Sequence, residues 1–184
     1  HALRRAGAKA GDDIWISGPL GDPRLALAGY RNELALDTCS LAAAAARMHA
    51  PTPRVSLGMA LSEHRVAHAA IDISDGLVGD LGHILAASKV GATLDADALP
   101  AGPVLARQPQ DLKRRFCAAG GDDYELCFTA PASAREAVIA AATRAATPVT
   151  RVGAIDAQAG LRLFDASGSA LDLSLAGFDH FSGD

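Results

Sequence analysis

The chain has 184 residues, a formal net charge of −4 and 49% hydrophobic residues, enough to bury one sizeable core, while 21% charged residues keep it outside the disordered class. No basic cluster exceeds Lys113-Arg114-Arg115, which argues against a nucleic-acid groove, and that triplet reads as the solvated last part of a helix. No apolar run is long enough to span a bilayer and no basic stretch followed by an apolar one opens the chain, so neither membrane nor secretion is expected and the expected location is the cytoplasm.

In chain order, Ile14-Trp15-Ile16 reads as a short strand stopped by Ser17-Gly18-Pro19. Asp22-Pro23 opens a helix to about Tyr30, with Asp as N-cap and Pro at the first helical position. Helices follow over about Asp37 to His49 and Val55 to His64, separated by Pro51-Thr52-Pro53. Ala67 to Ser74 predicts a strand. Gly76 to Ser88 predicts a helix, with Leu77, Leu81, Ile84 and Leu85 on one stripe. Gly91 to Asp95 is a short strand, Pro100 to Arg107 and Gln110 to Ala118 are helical pieces, and Tyr124 to Thr129 is a strand. Ser133 to Ala146 is an Ala-rich helix, and Thr150 to Ile155, Leu161 to Phe164 and Leu171 to Leu173 are candidate strands. Interleaved helices and strands predict an α/β (α+β) layered domain with a mixed β-sheet packed by helices. Aromatics make up only 4%, so the core is expected to consist of Ala, Leu, Val and Ile.

Cys39, Cys117 and Cys127 are odd in number and lack CxxC or Cys/His spacing, which argues against a disulfide framework and a zinc site and for reduced, partly buried thiols. His64, His68 and His83 share no ligand spacing. No Gly-x-Ser-x-Gly elbow is present, and no catalytic nucleophile or base is assigned.

The most informative stretch is Ile71-Asp72-Ile73-Ser74-Asp75-Gly76-Leu77. Strand alternation sends Ile71 and Ile73 to one face and Asp72 and Ser74 to the other. Asp75 follows at the strand end and Gly76 permits a sharp turn. Carboxylates this close repel unless a cation lies between them, and Mg²⁺ takes one or two carboxylates together with phosphates and water. Helix capping by Ser74 or Asp75 is the other reading, though it leaves Asp72 unexplained. In Gly120-Gly121-Asp122-Asp123-Tyr124-Glu125-Leu126 the glycines allow close backbone approach, and the acids are either a site or merely solvated. Arg4-Arg5-Ala6-Gly7-Ala8-Lys9 either holds phosphate oxygens or carries exposed charge. Phe178-Asp179-His180-Phe181 is either a docking tail or a platform for a ring.

Taken together, these segments, with Pro51-Thr52-Pro53-Arg54-Val55 and Asp80-Leu81-Gly82-His83-Ile84, resemble the thiamine-monophosphate kinase family, essentially from end to end. The wider superfamily includes aminoimidazole ribonucleotide synthetase, selenophosphate synthetase and a hydrogenase-maturation enzyme, which share an ATP-using two-domain architecture. The resemblance implies that residues 1–184 are the C-terminal domain of a two-domain kinase. The preceding domain would supply most of the acidic Mg²⁺ ligands, much of the ATP site and the usual homodimer interface. The opening on His1 fits a piece of a longer protein. Carried over by motif, Asp72 and Asp75 match Mg²⁺ ligands, Ser74 and Arg5 ATP contacts, Asp122 an acidic substrate contact and Phe178 an aromatic one. Some family members carry Glu at the Asp122 position, which would reach one methylene further. The implied reaction moves the ATP γ-phosphoryl group to thiamine monophosphate. The competing expectations are another ATP-using member of the superfamily and a non-catalytic nucleotide-binding domain.

Overall fold

The computed structural model describes residues 2–172, so Phe178 and the aromatic cluster around it lie outside the described residues. The strands are β1 (Asp12–Ser17), β2 (Ala69–Ile73), β3 (Gly91–Asp95), β4 (Glu125–Pro131), β5 (Val149–Asp156), β6 (Gly160–Phe164) and β7 (Ala170–Leu171). The α-helices are α1 (Asp22–Tyr30), α2 (Thr38–His49), α3 (Val55–Glu63), α4 (Leu77–Ser88), α5 (Gln110–Ala119) and α6 (Arg135–Arg144). The strands form a mixed sheet in the order β2-β4-β1-β5-β3-β6-β7. Among the described strands only the β3–β6 pair is parallel; the other pairs are antiparallel.

Strand alternation splits the core into two layers. Ile14 and Ile16 of β1, Ile71 and Ile73 of β2 and Cys127 of β4 face one side, where they pack with α1, α2, α4 and α5. Trp15, Ala70, Phe128 and Ala130 face the other side and pack with Leu57 and Leu61 of α3 and Val138 and Ala141 of α6. The expected layered architecture is therefore the observed one, with helices on both faces of the sheet. Central β1 is buried along its whole length, and its acids are paired. Asp13 accepts from Arg135 Nε at 2.6 Å, and Asp12 meets His68 Nδ1 at 2.9 Å. Cys117 and Cys127 are buried free thiols, and burial pushes the Cys127 thiol up to about 12.

Local expectations fail where long-range contacts compete. Asp22 is not the cap of α1. Gly21 occupies that position, and the buried Asp22 carboxylate instead accepts from Leu105 N–H at 2.8 Å, holding a 3-10 turn at Leu105–Arg107. That turn is all that is helical in the stretch expected to be a helix from Pro100. Lys113-Arg114-Arg115 lies in the middle of α5 rather than at its end, and Arg114 grips Asp97 through two bonds of 2.7 Å.

The α3/α6 layer depends on an aromatic pair. The Trp15 and Phe128 rings stack with centroids 6.5 Å apart, and Phe128 has no exposed surface. Phe128→Ala is expected to cost about 3–5 kcal/mol in urea denaturation, the usual range for emptying a buried aromatic site. A loss under about 1 kcal/mol would mean that the layer collapses around the gap.

Candidate active site

β2 delivers its chemistry to one end of the sheet. Asp72 is exposed between buried Ile71 and Ile73, as alternation requires. Beyond Ile73 the chain turns through Ser74, Asp75 and Gly76 into α4, whose Leu77, Leu81, Ile84 and Leu85 anchor it in the core. Neither Ser74 nor Asp75 caps this helix. Gly76 is the N-cap and no side chain caps the end, so the capping reading is overturned. Instead the turn is strapped from inside the helix: Oδ2 of buried Asp80 accepts the N–H groups of Ser74 and Asp75, both at 3.0 Å. The carboxylates of Asp72 and Asp75 have no hydrogen-bond or ion-pair partner among the described residues, and both side chains are open to solvent.

Burial raises the Asp80 carboxyl above the usual carboxylate range. The two N–H donors pull it back, and the neighbouring charges of Asp75 and Asp72 push it up again. The three acids therefore feel one another, and a cation held by Asp72 and Asp75 would relieve that repulsion. Among the described residues no group of three or more His, Cys, Asp or Glu is arranged to hold a metal. A pair of free carboxylates is what this chain offers, and it fits a Mg²⁺ ion whose remaining ligands are phosphate oxygens, water or residues from elsewhere.

The second motif meets the first. Asp122 N–H donates to Ser74 O and Tyr124 N–H to Ile73 O, each at 2.8 Å, so the loop from Gly120 is zipped to the turn. The close approach explains Gly121, where a β-carbon would stand 2.7 Å from Ser74 O. Asp122 and Tyr124 adopt positive φ of 67° and 51°, a conformation costing an L-residue about 1–2 kcal/mol. Asp122 remains exposed, whereas Asp123 and Glu125 have no exposed surface. The expectation that these acids are merely solvated thus fails for two of the three.

Ser74, Asp75, Gly121 and Asp122 line a cavity of about 220 Å³ together with Arg24 and Arg31. Asp72 opens instead into a groove of about 480 Å³ shared with Arg5, Arg54, Val55 and Tyr124. Arg5 is brought there by the chain before β1, which runs along the free edge of β2 and accepts Ala70 N–H at Arg4 O, 2.8 Å. The structure thus gathers Ser74, Asp75 and Asp122 at one cavity and Arg5 and Asp72 at its neighbour.

A scan of family models matches residues 9–166 to AIR synthase related protein, C-terminal domain. The chain belongs to this family. Among curated relatives, thiamine-monophosphate kinase of Salmonella typhimurium is 40% identical over 184 residues, covering 99% of this chain and 56% of that protein. The chain therefore spans about half the length of the curated relatives it matches. Among solved structures, thiamine-monophosphate kinase from Stenotrophomonas maltophilia K279a superposes with a TM-score of 0.81 at 43% identity, covering 92% of this chain and 54% of that one. A structure described as AaThiL complexed with AMPPCP and TMP superposes with a TM-score of 0.71 at 26% identity, covering 92% of this chain and 52% of that one.

Sequence reasoning named Asp80, Asp123 and Glu125 within their segments but missed their buried roles. Asp80 and Glu125 each had a signal. Asp80 interrupts the apolar stripe of α4 one turn after Leu77, and Glu125 shares strand parity with the core residue Cys127. Of the partners of Glu125, Arg54 stood in a segment that resembles the family and Arg47 carried no signal.

Asp80→Asn keeps an oxygen acceptor for the two N–H groups and removes a desolvated charge, so stability at neutral pH is expected to hold or rise. Asp80→Ala strands both donors and is expected to lose about 1–3 kcal/mol. Because folding raises the Asp80 pKa, the folded state binds its proton more tightly than the unfolded one. Wild-type stability should therefore gain on that of Asp80→Asn as pH falls through the folded pKa, and the gain should be complete below the unfolded value. Paired urea titrations across pH check the sign; a wild type that keeps level with Asp80→Asn, or loses ground to it, as pH falls would contradict it.

Proposed function

We propose that this chain is the C-terminal part of an ATP-dependent thiamine-phosphate kinase, which transfers the γ-phosphoryl group of ATP to thiamine monophosphate to give thiamine diphosphate and ADP. The observation that carries this reading is the zipped turn and loop. It sets an unpartnered carboxylate, Asp75, beside a hydroxyl, Ser74, and a further exposed acid, Asp122, while a second unpartnered carboxylate, Asp72, opens into the groove of Arg5, in a chain 40% identical to a thiamine-monophosphate kinase. The structure of a relative described as complexed with AMPPCP and TMP supports the same pair of reactants.

In this reading Asp72 and Asp75 hold Mg²⁺. When bound, Mg²⁺ neutralises phosphate charge, which two anionic reactants meeting on a protein of net charge −4 require. Ser74 and Arg5 contact the nucleotide, Arg5 as a fork suited to phosphate oxygens. Asp122 accepts a hydrogen bond from the amino group of the thiamine pyrimidine, and Phe178 stacks on a ring of the same molecule. No side chain here is given a covalent role, because phosphoryl transfer is governed by positioning and charge stabilisation. An N-terminal domain precedes the chain in the whole enzyme, which works as a cytoplasmic homodimer. No helix among the described residues is long and apolar enough to cross a membrane.

The test is incubation of the full-length parent with Mg-ATP and thiamine monophosphate, with thiamine diphosphate read by chromatography. Asp75→Asn is expected to lower kcat/KM by about 100-fold or more, since even partners one shell out from a metal are worth about 10- to 100-fold. Parent protein that binds Mg-ATP yet forms no thiamine diphosphate would discard the substrate. Phe178→Ala should raise the KM for thiamine monophosphate, and an unchanged KM would remove the stacking role. Residues 1–184 alone should show no detectable turnover.

A further inference from the structure

Behind the acidic turn lies a buried charge cluster that the reaction as described does not use. Glu125 Oε1 accepts from Arg47 Nη2 at 2.5 Å and Arg54 Nη2 at 2.6 Å, and its Oε2 accepts from Arg54 Nε and Ser17 Oγ, both at 2.6 Å. Arg47 belongs to α2, Arg54 immediately precedes α3 and Ser17 ends β1, so three separate segments converge on one carboxylate. Gly18, at φ 56°, makes room for it: a β-carbon there would stand 2.2 Å from Oε1.

The cluster also grips the loop. Arg47 Nη2 reaches Asp123 O at 3.3 Å, and Gly21 N–H donates to Asp123 Oδ1 at 2.8 Å. Residues 122–125 are thus held alternately, Asp122 and Tyr124 from the front by the end of β2 and Asp123 and Glu125 from behind by the cluster. Asp122 and Tyr124 keep positive φ, which is uncommon for an L-residue and least favoured at Tyr124. Their conformation has to be imposed by surroundings that fix the residues between and after them.

We infer that Arg47, acting through Glu125 and the Asp123 carbonyl, is a positioning residue that sets the Gly120–Tyr124 loop so that Asp122 stands beside the Ser74–Asp75 turn at the distance the phosphate acceptor needs. The identity of that acceptor, thiamine monophosphate, rests on the kinase reading above; the ordering of the loop does not. Arg54 lines the groove of Arg5 and Asp72 and can meet a ligand itself. Arg47 lines neither that groove nor the cavity of Asp122, so its effect on the site passes through the loop.

The experiment compares full-length parent, Arg47→Met and Arg47→Lys by steady-state kinetics and by hydrogen exchange followed by mass spectrometry. In Arg47→Met, the KM for thiamine monophosphate should rise about tenfold or more, as small misplacements of a binding group do, with the KM for ATP moving less than about twofold. Exchange should quicken in the segment 120–126 while β1 and β5 stay protected. Arg47→Lys, which restores a charge beside Glu125, should recover much of both effects. A KM for thiamine monophosphate that stays put while the loop loosens overturns the positioning role. So does a parallel rise in both KM values with exchange faster throughout, which marks a merely structural residue. If the parent does not phosphorylate thiamine monophosphate at all, the kinase reading falls alone and exchange still decides: quickening confined to 120–126 upholds the positioning of the loop, and unchanged exchange overturns it.

Discussion

The antiparallel pairing of β2 with β4 places Ile73 opposite Glu125, and the rest of the site depends on that register. It continues past the strand ends as the two bonds from Tyr124 N–H to Ile73 O and from Asp122 N–H to Ser74 O. A slip of one residue would invert every side chain of β4, sending Glu125 to the helix α3 face and Phe128 into the opposite layer. The buried ionic cluster guards against that slip. Removing one partner from such a set costs about 3–5 kcal/mol, because a charge is left uncompensated in the interior. An apolar core would tolerate several registers more easily than two arginines converging on one carboxylate.

The same register organises the electrostatics. Acids with structural duties are buried and answered by donors: Glu125 by Arg47, Arg54 and Ser17, Asp80 by the N–H groups of the turn, and Asp22 by Leu105 N–H. Asp123 is the exception. Its Oδ1 accepts Gly21 N–H but its Oδ2 has no hydrogen-bond partner among the described residues, and burial raises its carboxyl well above the usual range, with Glu125 pushing the same way. Asp72, Asp75 and Asp122 are left facing outward. Negative charge is thus concentrated at one end of β2, where a bound cation would lower the repulsion.

β2 is an edge strand, and open edges invite unwanted pairing. Here the chain before β1 lies along it, tied by Ala70 N–H to Arg4 O, and its own turn is fixed by Ser88 Oγ accepting from Gly7 and Ala8 N–H at 3.1 Å. Ser88 ends α4, the helix that follows the acidic turn. One short contact set therefore both covers the edge and delivers Arg5 to the groove of Asp72.

Much of this was legible in the sequence. Gly91–Asp95 was read with the bounds it has in the structure, and the α4 stripe of Leu77, Leu81, Ile84 and Leu85 announced its helix, because periodic burial leaves a direct record in residue type. The placing of Asp72 on the face opposite Ile71 and Ile73 followed from alternation, and the glycine pair marked a close backbone approach. The N-cap of α1 falls on Gly21 and not on the expected Asp22, and the strapping of the turn by Asp80 and the convergence of Arg47 and Arg54 on Glu125 have no local signature. The sequence by itself determined which segments are helices and strands and which acids cluster along the chain, since these depend on neighbours a few residues apart. Only the tertiary structure decided which of those acids are buried and which stay free, because the side-chain donors that answer Glu125 come from 71 to 108 residues away, a distance no local pattern encodes.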